Sequence, residues 1–328
     1  RDSLNIIYWS QGVELLSDLG YLWDHPESNK TKRTLAHNTV IIDEEEQGTW
    51  VRKGTVHNFV SEAQVKGMRA SAKPYAQAKR YERVVALVDH GNGRSYVVDV
   101  FWVEGGHTQD YVYHGPNDDW TISGISPATT KSSTFFGRWW KNASQNSAQT
   151  TLSLIPKPEG VYDLKNVQTL AEPSDVVRLQ WAVPQGRTFS VWHLPVQQES
   201  LFIGDGWGQR SSTNQDLGAT LPYVVRRTGG AGIKSFVSLF EASPAQEPFV
   251  RNTRLIPHPE QKTGVIALEV TTAMGTDIVA ITPKAGSYQF NTSLGRLTTR
   301  STLTVLTVQE GKATFLQEGN QKSHFQPY

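Results

Sequence analysis

Cysteine is absent from this 328-residue chain. Disulfide bonds, thiolate metal sites and cysteine nucleophiles are therefore excluded. Long apolar runs are also missing. None approaches the ~20 residues that a membrane-spanning helix requires, so we expect no membrane span. An excess of charge of one sign is lacking as well, because the formal net charge is +1. The composition therefore gives no indication of a nucleic-acid partner.

The composition is typical of a folded globular protein, with 38% hydrophobic and 19% charged residues. Short runs rich in Val, Tyr, Phe and Trp recur along the chain and favour β-strands. Val84 to Val88 and Tyr96 to Val103 are two such runs, and the Asn92-Gly93 pair between them predicts a hairpin. Many short strands with turn signals between them, and no long helical periodicity, predict an all-β fold, a large antiparallel β-sandwich.

The last third of the chain continues this pattern. Residues Ile266 to Val270 alternate between larger apolar residues and Ala or Glu, which predicts a half-buried strand. The run Ser243 to Pro248 contains two prolines and marks a candidate boundary. We therefore predict a β-sandwich domain over residues 1–242. Residues 243–328 form a smaller β region, either a C-terminal domain or extra strands of the same sandwich.

The first forty residues carry the clearest chemistry. Asp18 follows an apolar strand and precedes the turn residue Gly20, and His37 stands before the apolar run Val40 to Ile42. Carboxylate oxygen and imidazole nitrogen both suit zinc, so the two residues are a candidate metal pair. Two ligands do not complete a zinc site. From spacing alone, a turn-forming Asp and a hydrogen-bonded His remain the alternative.

Two further segments have functional and structural readings. His107, Asp110 and His114 form a second His/Asp cluster, which we interpret as mainly structural. Gly204 to Arg210 is a glycine-rich predicted loop with Trp207 inside it. It lacks the Lys-Ser/Thr ending of a phosphate-binding loop, so nucleotide binding is not expected. A sugar-contacting loop and a plain cluster of turns both remain open.

The sequence resembles the heparinase II/III-like polysaccharide lyases. Residues 4 to 21, which end in Asp-Leu-Gly-Tyr, look like a family strand ending in Asp-x-Gly-Tyr. Residues 34 to 43, Thr-Leu-Ala-His-Asn-Thr-Val-Ile-Ile-Asp, look like the family's Thr-x-Ala-His-Asn-Thr-Val-x-x-Asp. The likeness is close over residues 1 to 47 and looser beyond them.

This resemblance implies an architecture and an activity. In the family, a helical toroid precedes an antiparallel β-sandwich, and uronate-containing polysaccharides such as alginate or glycosaminoglycans are cleaved by β-elimination between the two. The chain begins Arg1-Asp2-Ser3 without an initiator Met or signal peptide. We therefore expect it to be the β-sandwich half of a longer lyase, with the helical toroid absent, inactive alone, and periplasmic or secreted.

The resemblance also assigns site residues. Asp18 and His37 match two ligands of the family's structural zinc, and the third, a His, would fall just before Arg1. The catalytic His would lie two residues further upstream. Tyr21 matches a family Tyr near the substrate, although a buried strand-end tyrosine is an equal alternative. We also expect substrate contacts, with an acidic polysaccharide or oligosaccharide, from the following residues: Trp23, His25, Asn38 and Gln47.

Two other functions remain open. A non-catalytic carbohydrate-binding or structural β-sandwich module fits a chain that lacks the base, the acid and one metal ligand. A metal-free relative that kept only the fold is the third possibility. Products with a near-ultraviolet chromophore from the parent protein would favour the lyase, and binding without product would favour the module.

Overall fold

The computed structural model describes residues 2–20, 22, 25, 28–48, 54–125, 164–170, 173, 175–211, 213–317, 319 and 322–328. Within them, three short 3₁₀ helices cover Lys30–Lys32, Thr34–Ala36 and Gln261–Thr263. No helix of this described part is long and apolar enough to cross a membrane.

The same residues form twenty-three strands. In chain order these are β1 (Tyr8–Ser10), β2 (Val13–Leu16), β3 (Val40–Ile42), β4 (Thr55–Ser61), β5 (Val65–Ser71), β6 (Arg80–Asp89), β7 (Ser95–Glu104), β8 (Thr108–His114), β9 (Trp120–Ser123), β10 (Lys165–Leu170), β11 (Val177–Val183), β12 (Arg187–Pro195), β13 (Ser200–Trp207), β14 (Thr220–Gly229), β15 (Ile233–Pro244), β16 (Val250–Leu255), β17 (Ile266–Thr272), β18 (Thr276–Ile281), β19 (Tyr288–Asn291), β20 (Gly295–Thr299), β21 (Leu303–Gln309), β22 (Lys312–Gln317) and β23 (His324–Pro327).

Four antiparallel sheets account for most of these strands. The front sheet has the order β10-β13-β14-β8-β3, and the large sheet has the order β4-β5-β6-β7-β15-β12-β11-β9. The rear sheet has the order β16-β17-β18-β21-β22, and the small sheet has the order β19-β20-β23. Strands β1 and β2 pair as a separate hairpin. The predicted all-β, antiparallel fold is confirmed.

Three apolar cores lie between successive sheets, so the sheets stack in the order front, large, rear and small. Phe101 and Trp181 of the large sheet meet Tyr111 and Tyr113 of the front sheet in the first core. The second core joins the large and rear sheets, and the third joins the rear and small sheets. Burial of apolar surface on both faces of the large and rear sheets is therefore the main stabilising contribution.

The predicted hairpin and the predicted half-buried strand have different outcomes. Strands β6 and β7 pair along their whole length, and Asn92 and Gly93 both take positive φ in the turn, as an Asn-Gly hairpin requires. The half-buried strand is wrong. Ala267 and Glu269 are buried as well as Leu268, because the rear sheet has a core on each face.

The predicted boundary near Ser243 falls at the end of β15. Within the described part of the chain, strands β16 to β23 pair only with one another, in the rear and small sheets. Their apolar residues nevertheless share the second core with the large sheet. Trp102 of the large sheet belongs to the same cluster as Leu268 and Val305 of the rear sheet. The division of the chain at residue 243 stays a prediction.

Candidate metal and substrate site

Asp18 is placed by the turn that follows β2. Gly20 takes the left-handed conformation, with φ +70°, and its backbone N–H donates to Asp18 Oδ1 at 3.1 Å. The Asn5 side chain donates to Asp18 Oδ2 at 3.2 Å. The carboxylate is thus oriented by two donors while a third of its side-chain surface stays exposed.

His37 faces this carboxylate. It follows the 3₁₀ turn Thr34–Ala36 in an extended conformation, and its Nδ1 lies 3.6 Å from Asp18 Oδ2. The facing imidazole is the main cause of a lowered pKa of the Asp18 carboxyl, with Gly20 acting in the same direction. His37 Nδ1 is buried and has no hydrogen-bond partner. The two residues are therefore brought together, with a nitrogen and an oxygen directed at each other.

This donor pair fits a zinc ion, since the buried, unpartnered Nδ1 and the adjacent carboxylate are the ligand types that zinc takes. The pair is not a complete site. Among the described residues, no three His, Cys, Asp or Glu side chains are grouped so that they could hold a metal ion.

His114 is fully buried and contacts the residues that directly precede Asp18 and His37. Its Nδ1 is 3.3 Å from Ser17 Oγ, and its Nε2 is 3.2 Å from the carbonyl oxygen of Ala36. Burial lowers the pKa of His114 to about 4, so the ring is neutral near pH 7. Both ring nitrogens are engaged, and His114 supports the segments that carry Asp18 and His37.

Asn38 is also fully buried and connects three segments. Its side-chain amide donates to the carbonyl oxygens of Ile6 and Ser17 at 2.9 and 3.0 Å, and its Oδ1 accepts from the backbone N–H of His114. Its own backbone N–H donates to Asn5 Oδ1. The structure gives Asn38 a positioning role, and its predicted contact with substrate stays a prediction.

Gln47 is buried in a comparable way. Its side chain exchanges hydrogen bonds with Ser3 and donates to the Tyr81 hydroxyl at 2.8 Å, while its backbone N–H donates to Thr34 Oγ1. These bonds fix the chain on both sides of the His37 segment. As with Asn38, the predicted contact between Gln47 and substrate stays a prediction.

Arg83 fastens the site to the large sheet. Its guanidinium forms a buried two-bond ion pair with Asp99 and donates to the carbonyl oxygens of Leu4 and Asn38 at 2.6 Å. Because the charge is paired and every contact is internal, this arginine positions the first forty residues and is not a substrate-binding group.

His25 lies beside an aromatic ring that the chain supplies from far away. The His25 ring meets the Trp207 ring edge-on at 5.5 Å, and Lys30 Nζ lies 4.8 Å from the same indole. Two of the predicted site residues, Tyr21 and Trp23, lie outside the described residues.

Arg210 lies beside the pair, and its position there was not predicted from the sequence. Its guanidinium pairs with Glu14 Oε2 at 2.5 Å and donates to the backbone carbonyl of Asp18 at 3.4 Å. Its side chain is 41% exposed. An ion pair between Arg210 and Glu14 therefore borders the Asp18–His37 pair. The only sequence signal was the presence of this arginine in the glycine-rich segment.

The prediction that Gly204 to Arg210 form a loop is partly wrong. Gly204 to Trp207 belong to β13. A Cβ on Gly206 would lie 2.4 Å from the Tyr223 ring, so glycine is required there by the neighbouring strand and not by a turn. The Tyr223 hydroxyl donates to the Trp207 carbonyl and fixes the end of the strand.

The second His/Asp cluster is not assembled as one site. Asp110 forms a two-bond ion pair with Arg227, whereas His114 contacts Ser17 and Ala36. This arrangement agrees with the structural interpretation of Asp110 and His114.

The fold and site define a class, a stacked antiparallel β-sandwich with a His/Asp pair on its front side. The family model "Heparinase II/III-like, C-terminal" matches residues 1–207. The chain therefore belongs to the heparinase II/III-like family, as the resemblance implied. No curated protein matches the sequence.

Solved structures agree on the fold. The crystal structure of heparan sulfate lyase HepC from Pedobacter heparinus matches with a TM-score of 0.54 at 12% identity, covering 84% of this chain and 36% of that one. A heparinase III with methylated lysines matches with a TM-score of 0.53 at 14% identity, over 82% and 34% of the two chains. Another heparinase III gives 0.51 at 12% identity, over 85% and 35%. The chain spans about a third of the length of these proteins.

Proposed function

We propose that this chain is the β-sandwich half of a polysaccharide lyase that cleaves uronic-acid-containing polysaccharide, of the alginate or glycosaminoglycan type, by β-elimination. The observation that carries the proposal is the Asp18–His37 pair, held at 3.6 Å on a sandwich of the heparinase II/III-like family. The similarity in fold to a heparan sulfate lyase and to two heparinases III supports it.

The surroundings of the pair suit an acidic sugar chain. Arg210, which pairs with Glu14 and is 41% exposed, lies next to Asp18, and its exposed N–H groups are of the kind that binds carboxylate and sulfate. Trp207, with His25 and Lys30 against its ring, offers an aromatic surface beside a cation. We therefore assign this wall of the cleft to binding and orienting the substrate.

β-Elimination requires three groups. Donors that neutralise the uronate carboxylate make the C5 proton acidic. A base removes that proton, the C4–O4 bond breaks with its electron pair going to O4, and an acid protonates O4 while a C4=C5 double bond forms. In this proposal the helical half supplies the main catalytic groups, with Tyr21 as the candidate from this chain. Asn38 and Gln47 hold the wall in place.

We further propose that Asp18 and His37 bind a structural zinc, with a third His just before Arg1. A bound zinc would cross-link the segment after β2 to the segment before β3 and fix the loop between them. In the intact protein, Asp18→Ala and His37→Ala should each lose most of the zinc measured by elemental analysis. Asp89→Ala, at the β6–β7 turn, is the control and should keep it. Unchanged zinc in both site variants would contradict the assignment.

The activity itself is tested on the intact protein with a panel of polysaccharides. Alginate, heparan sulfate and hyaluronan are the acidic candidates, and a neutral glucan is the control. Unsaturated uronate products absorb in the near ultraviolet, so absorbance should rise with an acidic polymer and not with the neutral one. Binding without any rise would favour a non-catalytic carbohydrate-binding module. Acidic polysaccharides of this kind occur outside the cytoplasm, which places the proposed enzyme in the periplasm or outside the cell.

A further inference from the structure

A groove of about 780 Å³ runs along the seam between the large sheet and the rear sheet. Strand β4 is the edge of the large sheet and β22 is the edge of the rear sheet, so the seam is open at this side. The groove is bordered by β4, β5, the residues before β21, and β22. Its volume falls in the range of small-molecule sites, about 300–1,000 Å³. None of these strands takes part in the Asp18–His37 site.

The walls of the groove are mixed, with polar groups beside apolar side chains such as Phe59 and Phe315. Asn58 donates to Thr302 Oγ1 at 3.2 Å across the two sheets, and His57 Nε2 lies 2.7 Å from Ser71 Oγ. Gln317 lines the opposite side. Amide and hydroxyl groups at the mouth of such a groove match the hydroxyl groups of a sugar chain.

Two arginines, Arg69 and Arg300, are among the described residues that line the groove. Arg69 and Arg80 both pair with the carboxylate of Glu82, and Glu104 lies opposite Arg80 on the neighbouring strand. Arg300 is exposed on the far wall and has no ion pair within the described part of the chain. Glu62 is the one carboxylate among the described lining residues.

Arg69 is also held in position. Its guanidinium pairs with Glu82 and lies 5.5 Å from the Trp102 ring centre, and only 15% of the side chain is exposed. An arginine fixed in this way loses less conformational entropy when it binds an anion than a freely moving one.

We propose that this groove is a second saccharide-binding site, which takes an acidic oligosaccharide segment through Arg69 and Arg300. The choice of ligand rests on the proposed function, because a lyase of acidic polysaccharide meets such chains. A site away from the cleft would hold the polymer on the enzyme between cleavage events.

The test is a titration of the 328-residue chain with alginate hexasaccharide and heparan-type hexasaccharide, with maltohexaose as the neutral probe. Arg300→Ala should raise the dissociation constant for an acidic probe about tenfold, as expected for the loss of one charge-assisted contact. Arg300→Glu should raise it further. Arg251→Ala is the matched control. Arg251 is an exposed arginine on β16, the edge strand of the rear sheet that lies opposite β22. The control should bind like the unchanged chain, and maltohexaose should not bind.

Hydrogen exchange locates the binding independently of these variants. Amides of the edge strands β4 and β22 should gain protection when the acidic probe is added. The proposal is overturned if no acidic probe binds, if Arg300→Ala and Arg251→Ala behave alike, or if protection appears only around residues 14–20 and 30–37. The lyase proposal is tested separately, by product formation with the intact protein, and that measurement does not enter this titration.

Discussion

His193 is buried in the core between the front and large sheets, where its Nε2 lies 2.8 Å from the Tyr113 hydroxyl. Burial lowers the pKa of His193 well below its usual range, and the positive charge of Arg226 acts in the same direction. The unfolded chain therefore takes up a proton at higher pH than the folded chain does.

The sign of the pH dependence follows from linkage. Stability from the neutral His193 is fully present above the unfolded pKa, about 6.5, and is lost as pH falls toward the lowered folded pKa. One such group contributes a slope of at most about 1.4 kcal/mol per pH unit. His193→Gln should make the free energy of unfolding less dependent on pH below about 6.5. Urea unfolding at several pH values measures it.

His324→Gln is the control for this prediction. His324 is exposed on β23, so its replacement should leave the slope unchanged. Equal slopes for His193→Gln and the unchanged chain would show that this buried histidine does not govern acid stability.

At the residue scale, the sequence predicted Asp18 and His37 as a candidate metal pair, because both lie in short motifs close together in the chain. Arg210 could not be predicted to join them. It follows β13 in the chain and contacts the Asp18 backbone from 192 positions away. The burial of Asn38 and Gln47 could not be predicted either, because the sequence shows the chemistry of a polar residue but not its neighbours in space.

At the scale of elements, Asn38 joins the N-terminal segment, the end of β2 and the end of β8. Asn38→Ala would remove the hydrogen-bond partner of the Ile6 carbonyl oxygen, of the buried Ser17 carbonyl oxygen and of the buried N–H of His114. We expect a loss of about 2–4 kcal/mol in the free energy of unfolding. Chemical denaturation measures this loss.

Asn252→Ala serves as the comparison for Asn38→Ala. Asn252 is exposed on β16 and should change stability by less than about 0.5 kcal/mol. If the two variants were equally stable, the network around Asn38 would not hold the site segments together.

Strand prediction succeeded where the pattern is local and failed where the neighbours decide. The β6–β7 hairpin follows from an Asn-Gly turn between two apolar runs. The glycines of β13 suggested a loop, but Gly206 is required by the ring of Tyr223 on the next strand. For β17, the alternation of residues suggested one buried and one exposed face, but a second core covers the face that was expected to be exposed. Neither neighbour is visible in the local sequence.

At the scale of the whole molecule, the large sheet depends on the rear sheet. Its outer face carries Val98, Val100 and Trp102, which are fully buried in the second core. A chain that ends after Pro244 would expose this face. Exposed apolar patches of several hundred Å² favour association. We expect the shortened chain to self-associate and to bind a hydrophobic dye, as measured by sedimentation and fluorescence.

The result bears on the predicted division of the chain. A shortened chain that stays monomeric, without dye binding, would show that residues 1–242 form an independent domain. The prolines near Ser243 predicted the boundary, but nothing in the sequence predicted the core that the large and rear sheets share. Contacts between sheets so far apart in the chain leave no local pattern in the sequence.

The central claim is that the intact protein breaks acidic polysaccharide by elimination. The most direct measurement is mass spectrometry of the products that the intact protein forms from an acidic oligosaccharide of known length. Elimination adds no water, so the account predicts a product with an unsaturated uronate end, near-ultraviolet absorbance and a mass lower by one water than that of the hydrolysis product. A product of the hydrolysis mass without near-ultraviolet absorbance would identify a hydrolase and contradict the account, and so would the absence of any cleavage.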